Sequence, residues 1–266
     1  MDILQKLAEA ARVRVGRDKA TLPQDALMAL CGAGPREAPA GGTEPPAFES
    51  ALREAGMSFI CEIKRASPSR GVITEDFDAL DIARDYFDAG ADCISVLTEP
   101  EYFLGSSAYL RDVAAAVPLP VLRKDFTVDE YQIYQARALG SSAVLLICAI
   151  LDAASLREFI ELSEELGLTA LTEVHDGREL SMALGAGARV VGVNNRDLKT
   201  FTVDPLNCLR LRELTPPGVA FVAESGITCR ADVVRLEQNG VDAVLVGEAL
   251  MRAPDRRAAL RELRGR

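Results

Sequence analysis

From residue 59 onward the sequence repeats a single pattern. A short run of apolar and β-branched residues is followed by an amphipathic stretch of about 10 to 15 residues, the spacing expected of strands and helices in alternation. The strand candidates are residues 59–63, 93–97, 120–124, 143–147, 169–174, 189–194, 219–224 and 243–247. Between them lie amphipathic segments, several ending in Gly, a common helix stop. Strand–helix alternation implies right-handed crossovers and a parallel sheet. The strand runs are apolar on both faces, as a doubly covered parallel strand requires. Eight such units predict a closed (β/α)8 barrel. The competing open doubly wound sheet would carry a Gly-rich phosphate fingerprint after its first strand. That position reads KRASPSRG, without GxGxxG.

The segment before the first strand differs. Residues 2–15 have helical amphipathicity, residues 33–46 are rich in Gly, Pro and Ala and read as a mobile loop, and residues 47–56 read as a second short helix. The expected organisation is an N-terminal helical extension over 1–58 and a barrel over 59–266, forming one domain. The formal net charge of −10 argues against general nucleic-acid binding, because neutralising phosphates needs a basic face. No secretory signal is legible at the N-terminus. The longest apolar run has nine residues, 143–151, about half of what a membrane span needs. The expectation is a cytoplasmic protein. The six cysteines lie at least 21 residues apart, which excludes zinc spacing and favours small buried hydrophobes. The single histidine, His175, reads as a solvated or capping residue and leaves no material for a His-dependent triad.

In a barrel, chemistry sits at the C-terminal strand ends. There the chain carries Glu62, Lys64 and Ser67 after strand 1, Arg123, Lys124 and Asp125 after strand 3, and Glu173 after strand 5. Asn194, Asn195 and Arg196 follow strand 6, Glu224, Ser225 and Gly226 follow strand 7, and Gly247 and Glu248 follow strand 8. Glu62 and Lys64 share a strand face, so both can enter the mouth while Ile63 points to the helices. Such a cluster forms a compensating network or a ligand site, because unpaired buried charge is costly. Gly226 and Gly247 precede helices in the place where barrels often seat phosphate. Tyr102 and Phe103 are either a core edge or a lid over an aromatic substrate.

Seven ordered motifs carry a resemblance: EIKRASPSRG at 62–71, LTEPEYFLGS at 97–106, LRKDF at 122–126, LTEVH at 171–175, GVNNRDL at 192–198, AESGI at 223–227 and VGEALMR at 246–252. On these the chain resembles the indole-3-glycerol phosphate synthases, over roughly residues 1–255. The resemblance implies ring closure of 1-(2-carboxyphenylamino)-1-deoxyribulose 5-phosphate with loss of carbon dioxide and water, without cofactor or metal. It implies Lys124 as general acid, Glu173 as base, and Glu62 and Lys64 beside the reacting atoms. Asn194 would hold a substrate hydroxyl. Arg196, Glu224 and Ser225 would line the aromatic end, with Phe103 the candidate lid. Ser67, Gly226, Gly247 and Glu248 would help seat anionic groups. Ser is common in the family where Glu248 stands, so its side chain is expected to turn away from phosphate. A small-molecule sugar phosphate is the expected partner, and a monomer the expected state. A lysine near other cations and away from water would have a lowered pKa. Two readings compete: a phosphoribosylanthranilate isomerase-like barrel, which needs a Cys–Asp pair, and a non-catalytic ligand-binding scaffold.

Overall fold

The eight apolar runs become eight strands because each buries both faces, one against the barrel interior and one against a helix. The computed structural model describes residues 3–31, 46–197 and 200–266. Its barrel strands are β1 (Ser58–Ile63), β2 (Cys93–Leu97), β3 (Val121–Lys124), β4 (Ala143–Ile147), β5 (Thr169–Val174), β6 (Val190–Asn194), β7 (Ala220–Glu224) and β8 (Ala243–Val246). Every neighbouring pair is parallel, and β8 returns to β1 with Phe59 opposite Val244, closing the barrel. An outer apolar layer (Phe59, Cys61, Ile63, Ile94, Val96, Phe221) meets the helices. An inner layer (Ile60, Leu122, Leu145, Leu171, Val222, Leu245) fills the barrel. This alternation of faces is the two-residue period of a strand.

The helices of the barrel wall are α4 (Ala79–Ala89), α5 (Ser107–Ala116), α6 (Glu130–Ala138), α7 (Ala153–Glu165), α8 (Gly177–Gly185), α9 (Asn207–Glu213), α10 (Arg230–Gln238), α11 (Glu248–Met251) and α12 (Arg256–Arg264). Side-chain caps define several starts. Asp78 accepts from the backbone N–H groups of Leu80 and Asp81, and Asp129, Asp152 and Asp176 do the same for α6, α7 and α8. Gly90 ends α4 at φ 91°, a left-handed position that disfavours side chains with a Cβ.

Ahead of β1 stand α1 (Ile3–Thr21), α2 (Gln24–Leu30) and α3 (Ala47–Leu52). The helix expected at 2–15 runs on to Thr21, and α2 was not legible as a separate helix. The expected loop at 33–46 lies outside the described residues except for Pro46. α3 ends earlier than residue 56. It closes the lower end of the barrel, burying Phe48 and Leu52 against the inner layer, and the Thr169 hydroxyl accepts from the Glu49 N–H. α1 lies across the other end, with Leu7 and Ala11 packed on the inner layer beside Phe126 and Ile147. Arg14 of α1 fixes this placement by ion pairs to Asp125 at 2.5 Å and Glu99 at 3.8 Å. Both carboxylates are buried.

Removing the cation from a buried pair leaves carboxylates that water cannot reach. Arg14→Ala should therefore destabilise the chain by about 3 kcal/mol. Urea denaturation at neutral pH measures this, and an unchanged midpoint would show that α1 does not depend on the Arg14 ion pairs.

Candidate active site

Barrel geometry stacks inward-facing side chains in layers, each layer drawn from alternate strands. Counting by twos from the apolar inner residues Ile60, Leu122, Leu171 and Val222 leads to Glu62 on β1, Lys124 on β3, Glu173 on β5 and Glu224 on β7. The odd strands thus end in one layer of four ionisable groups. The even strands contribute Leu97, Ile147 and Asn194, with Gly247 just beyond β8. All of these line one cavity of about 820 Å³ at the C-terminal end of the barrel.

Lys124 is the hub. Its Nζ donates to Glu173 Oε2 at 3.1 Å and lies 3.5 Å from Glu224 Oε2. Lys64 donates to Glu62 Oε1. Asn194 Nδ2 donates to Glu173 Oε1 at 3.3 Å, while the Ser225 hydroxyl donates to Asn194 Oδ1 at 2.8 Å. Two glycines make room for this layer. A Cβ on Gly247 would overlap the Glu62 carboxylate, and one on Gly192 of β6 would overlap that of Glu224.

The electrostatics follow from these contacts. Burial pulls Lys124 toward neutrality, but the carboxylates of Glu173, Glu224 and Glu62 outweigh it, so its pKa is raised. This corrects the expectation of a lowered lysine pKa: the groups nearest Lys124 are anions. Burial opposes ionisation of Glu173, yet Lys124, His175 and the Asn194 hydrogen bond together hold its pKa below the ordinary carboxylate value. Glu224 goes the other way. Burial, with Glu173 and Glu62 nearby, raises it to about 7 against the pull of Lys124. Its Oε1 is buried without a hydrogen-bond partner among the described residues.

The rim is built on the loops. Buried Glu99 accepts from the N–H groups of Glu101, Tyr102 and Phe103 at 2.8 to 2.9 Å, folding the loop after β2 so that Phe103 faces the cavity. The Phe103 ring lies 6.0 Å from that of Phe126. Tyr102 does not line the cavity; it packs on the inner core as a core-edge residue. After β7, Ser225 adopts φ 62° and Gly226 φ 81°, two left-handed residues in succession. Asn195 Nδ2 donates to the Ser225 carbonyl at 3.1 Å and braces this strained turn. Glu248 does not turn away from the cavity. Its carboxylate lies on the wall, 3.1 Å from Arg70, 3.3 Å from Arg252 and 3.8 Å from Arg196, and these cations compensate it there.

Ser67, Arg196, Gly226 and Glu248 line the same cavity as Glu62, Lys64, Phe103, Lys124, Glu173, Asn194, Glu224, Ser225 and Gly247. Arg123, grouped with them by sequence position, does not: it is buried beneath, donating to the Gln132 carbonyl and to Asp125. His175 is neither a cap nor solvated in the expected sense. Its ring sits behind the charged layer, 3.4 Å from Glu173 Oε1 and 3.1 Å from Glu179 Oε2. Its place two residues after Glu173 was the signal in the sequence. Gly192, two residues before Asn194, could have been found by the same parity. Arg70 carried no comparable signal, and Asn195, grouped with the strand-6 end by sequence, does not line the cavity but braces the turn after β7, a role that depends on loop folding.

A sequence profile described as indole-3-glycerol phosphate synthase matches residues 7–263. The chain belongs to the indole-3-glycerol phosphate synthase family. The family's curated members include a protein of that name from Ruminiclostridium cellulolyticum, 56% identical over 221 residues, which cover 83% of this chain and 85% of that one. Another, from Endomicrobium trichonymphae, is 47% identical over 263 residues, or 98% and 99% of the two chains. Among solved structures, 3-hexulose-6-phosphate synthase from Salmonella typhimurium superposes with a TM-score of 0.64 at 18% identity, covering 78% of this chain and 96% of its own. Thiamine phosphate pyrophosphorylase from Pyrococcus furiosus gives 0.58 at 18%, covering 82% and 96%. These two likenesses are of fold; membership of the synthase family comes from sequence.

Glu224 gives this site a pH signature. Unfolded, its carboxyl ionises near 4.5; folded, near 7. Between those values the folded chain keeps a proton that the unfolded chain has released, so stability falls as pH rises through that window and the loss is complete above it. Glu224→Gln removes the titration. Its stability relative to wild type should improve by about 1–3 kcal/mol from pH 4.5 to pH 8. Parallel wild-type and variant curves in denaturant titrations across that range would rule out a raised Glu224.

Proposed function

We propose that the cavity closes the indole ring of 1-(2-carboxyphenylamino)-1-deoxyribulose 5-phosphate, giving indole-3-glycerol phosphate, carbon dioxide and water. The chain's family supplies the reaction. The observation that supports the placing of its chemistry is the Lys124–Glu173 pair, an ammonium and a carboxylate 3.1 Å apart on the next-but-one strands β3 and β5 at the cavity floor.

Ring closure requires a carbonyl made electrophilic, an aromatic carbon held at attack distance and a base to complete the later proton transfers. Lys124 is the acid: it carries its proton at neutral pH and gives it to the ketone oxygen as the aromatic carbon bonds to the carbonyl carbon. Loss of the ring carboxylate as carbon dioxide returns the bonding pair to the ring. The new hydroxyl then leaves as water, with Glu173 removing the proton that completes the indole. Lys64, paired with Glu62 across the barrel from β5, protonates the departing hydroxyl. Asn194, fixed between Glu173 and Ser225, offers its amide to a substrate hydroxyl. Phe103 and Phe126 suit an aromatic ring, and Arg196 suits its carboxylate. The turn at Ser225 and Gly226, Ser67, Gly247 and the backbone at Glu248 suit the phosphate end. The isomerase alternative lacks its cysteine, because Cys61 faces the outer core and burial pushes its thiol up.

The same reading gives the chain a small-molecule partner, in keeping with the net charge of −10. It assigns no nucleic-acid partner, a monomeric state and a cytoplasmic location. Among the described residues no helix is long and apolar enough to cross a membrane.

The chain contains no Trp, so indole emission can be followed directly. Purified protein given the carboxyphenylamino substrate should produce indole fluorescence. Lys124→Met should lower kcat by about 10²–10⁴-fold with the fold intact by circular dichroism. Substrate binding without turnover in wild type would point instead to a scaffold, and near-normal turnover in Lys124→Met would remove that lysine from the acid role.

A further inference from the structure

The chain's one histidine, His175, is an ionisable group at the site that the reaction scheme leaves unused. His175 lies just past the end of β5, two residues after Glu173. Its ring is held from behind. Glu179, on α8, places Oε2 3.1 Å from Nδ1 and accepts the His175 backbone N–H at 2.8 Å with the same oxygen. Asn207 of α9 donates to the His175 carbonyl at 3.0 Å. These contacts fix the ring so that Nε2, buried and without a hydrogen-bond partner among the described residues, faces Glu173 Oε1 at 3.4 Å.

We propose that His175 is a positioning residue for Glu173: clamped by Glu179, its imidazolium is a second cation on the carboxylate and keeps it ionised and aimed when Lys124 gives up its proton. This rests on Glu173 being the base. The need for such a group follows from the geometry. Glu173 Oε2 is paired with Lys124, and Lys124 is the acid. Once Lys124 has protonated the substrate it is neutral, and Glu173 loses that counter-charge inside a buried layer that also holds Glu224 and Glu62. A buried carboxylate in that position would recapture the proton rather than act on the substrate. A cation on the opposite oxygen prevents this, because its charge does not depend on the lysine.

The groups facing the imidazole favour its charged form. Burial opposes protonation, but Glu179 on α8, Glu173 on β5 and Glu224 on β7 outweigh it and raise the pKa of His175 above its ordinary value. Cys148, after β4, is close to the same carboxylates, but burial pushes its thiol up to about 12, so it stays neutral. From α9 comes only the Asn207 amide.

A lone histidine gives one imidazole signal, so its titration can be read by NMR without assignment. The midpoint should lie above 6.5 in wild type and fall by about one pH unit in Glu173→Gln and again in Glu179→Gln. In turnover, His175→Leu should lower kcat about tenfold with KM little changed, and the acid limb of the kcat profile should move up by about one pH unit. His175→Gln, a neutral donor, should recover part of kcat but keep the displaced limb. A wild-type midpoint at or below 6.5, a midpoint unmoved by Glu173→Gln, or an acid limb unmoved by His175→Leu would each overturn the proposal. Failure of wild type to form indole would overturn the reaction assignment instead, and the NMR midpoints would then decide the Glu173–His175 contact alone.

Discussion

Everything at the mouth of this barrel depends on keeping one layer of buried charge compensated. Four odd-numbered strands end in Glu62, Lys124, Glu173 and Glu224, three carboxylates around one ammonium. Such a layer cannot form in a low-dielectric interior unless other groups complete it. Lys64 takes Glu62, while Lys124 and His175 take opposite oxygens of Glu173. Glu224 is left with the weakest partner, Lys124 at 3.5 Å, and it is the carboxylate whose pKa rises. The same shortage of cations that makes Glu224 costly to ionise makes Lys124 hold its proton.

Beneath the layer a second buried network holds the strand that carries Lys124. Arg123 and Asp125 flank it: Arg123 reaches the Gln132 carbonyl and Thr98, and Asp125, at the cavity edge, accepts from the Thr98 hydroxyl at 2.6 Å. Arg14 of the N-terminal helix completes this cluster from outside the barrel. Thus the helix that covers the mouth is joined through one carboxylate to the backbone beside Lys124. Stability and alignment share the same contacts, so the N-terminal segment is part of the site's framework as well as its cover.

The positions of the inward-facing groups were largely legible in the sequence, because strand parity depends only on counting. Their environments were not. Lys124 was expected among cations, yet its near neighbours are carboxylates of β5 and β7, 49 and 100 residues away in sequence. Glu248 was expected to turn from the cavity; Arg70 and Arg196 from two separate loops, with Arg252 one turn further on at the end of α11, hold it on the wall. His175 looked like a surface residue because the helix that clamps it, α8, begins only after the next turn.

The sequence by itself determined the eight-fold alternation, the closed parallel barrel and the set of polar residues at its C-terminal mouth, since each follows from local periodicity and chain order. Tertiary structure alone decided which charge meets which, which carboxylate is left short of a cation, and how far burial moves each proton. Those outcomes vary with distance and dielectric between residues that are remote in the chain, and a one-dimensional pattern carries neither quantity.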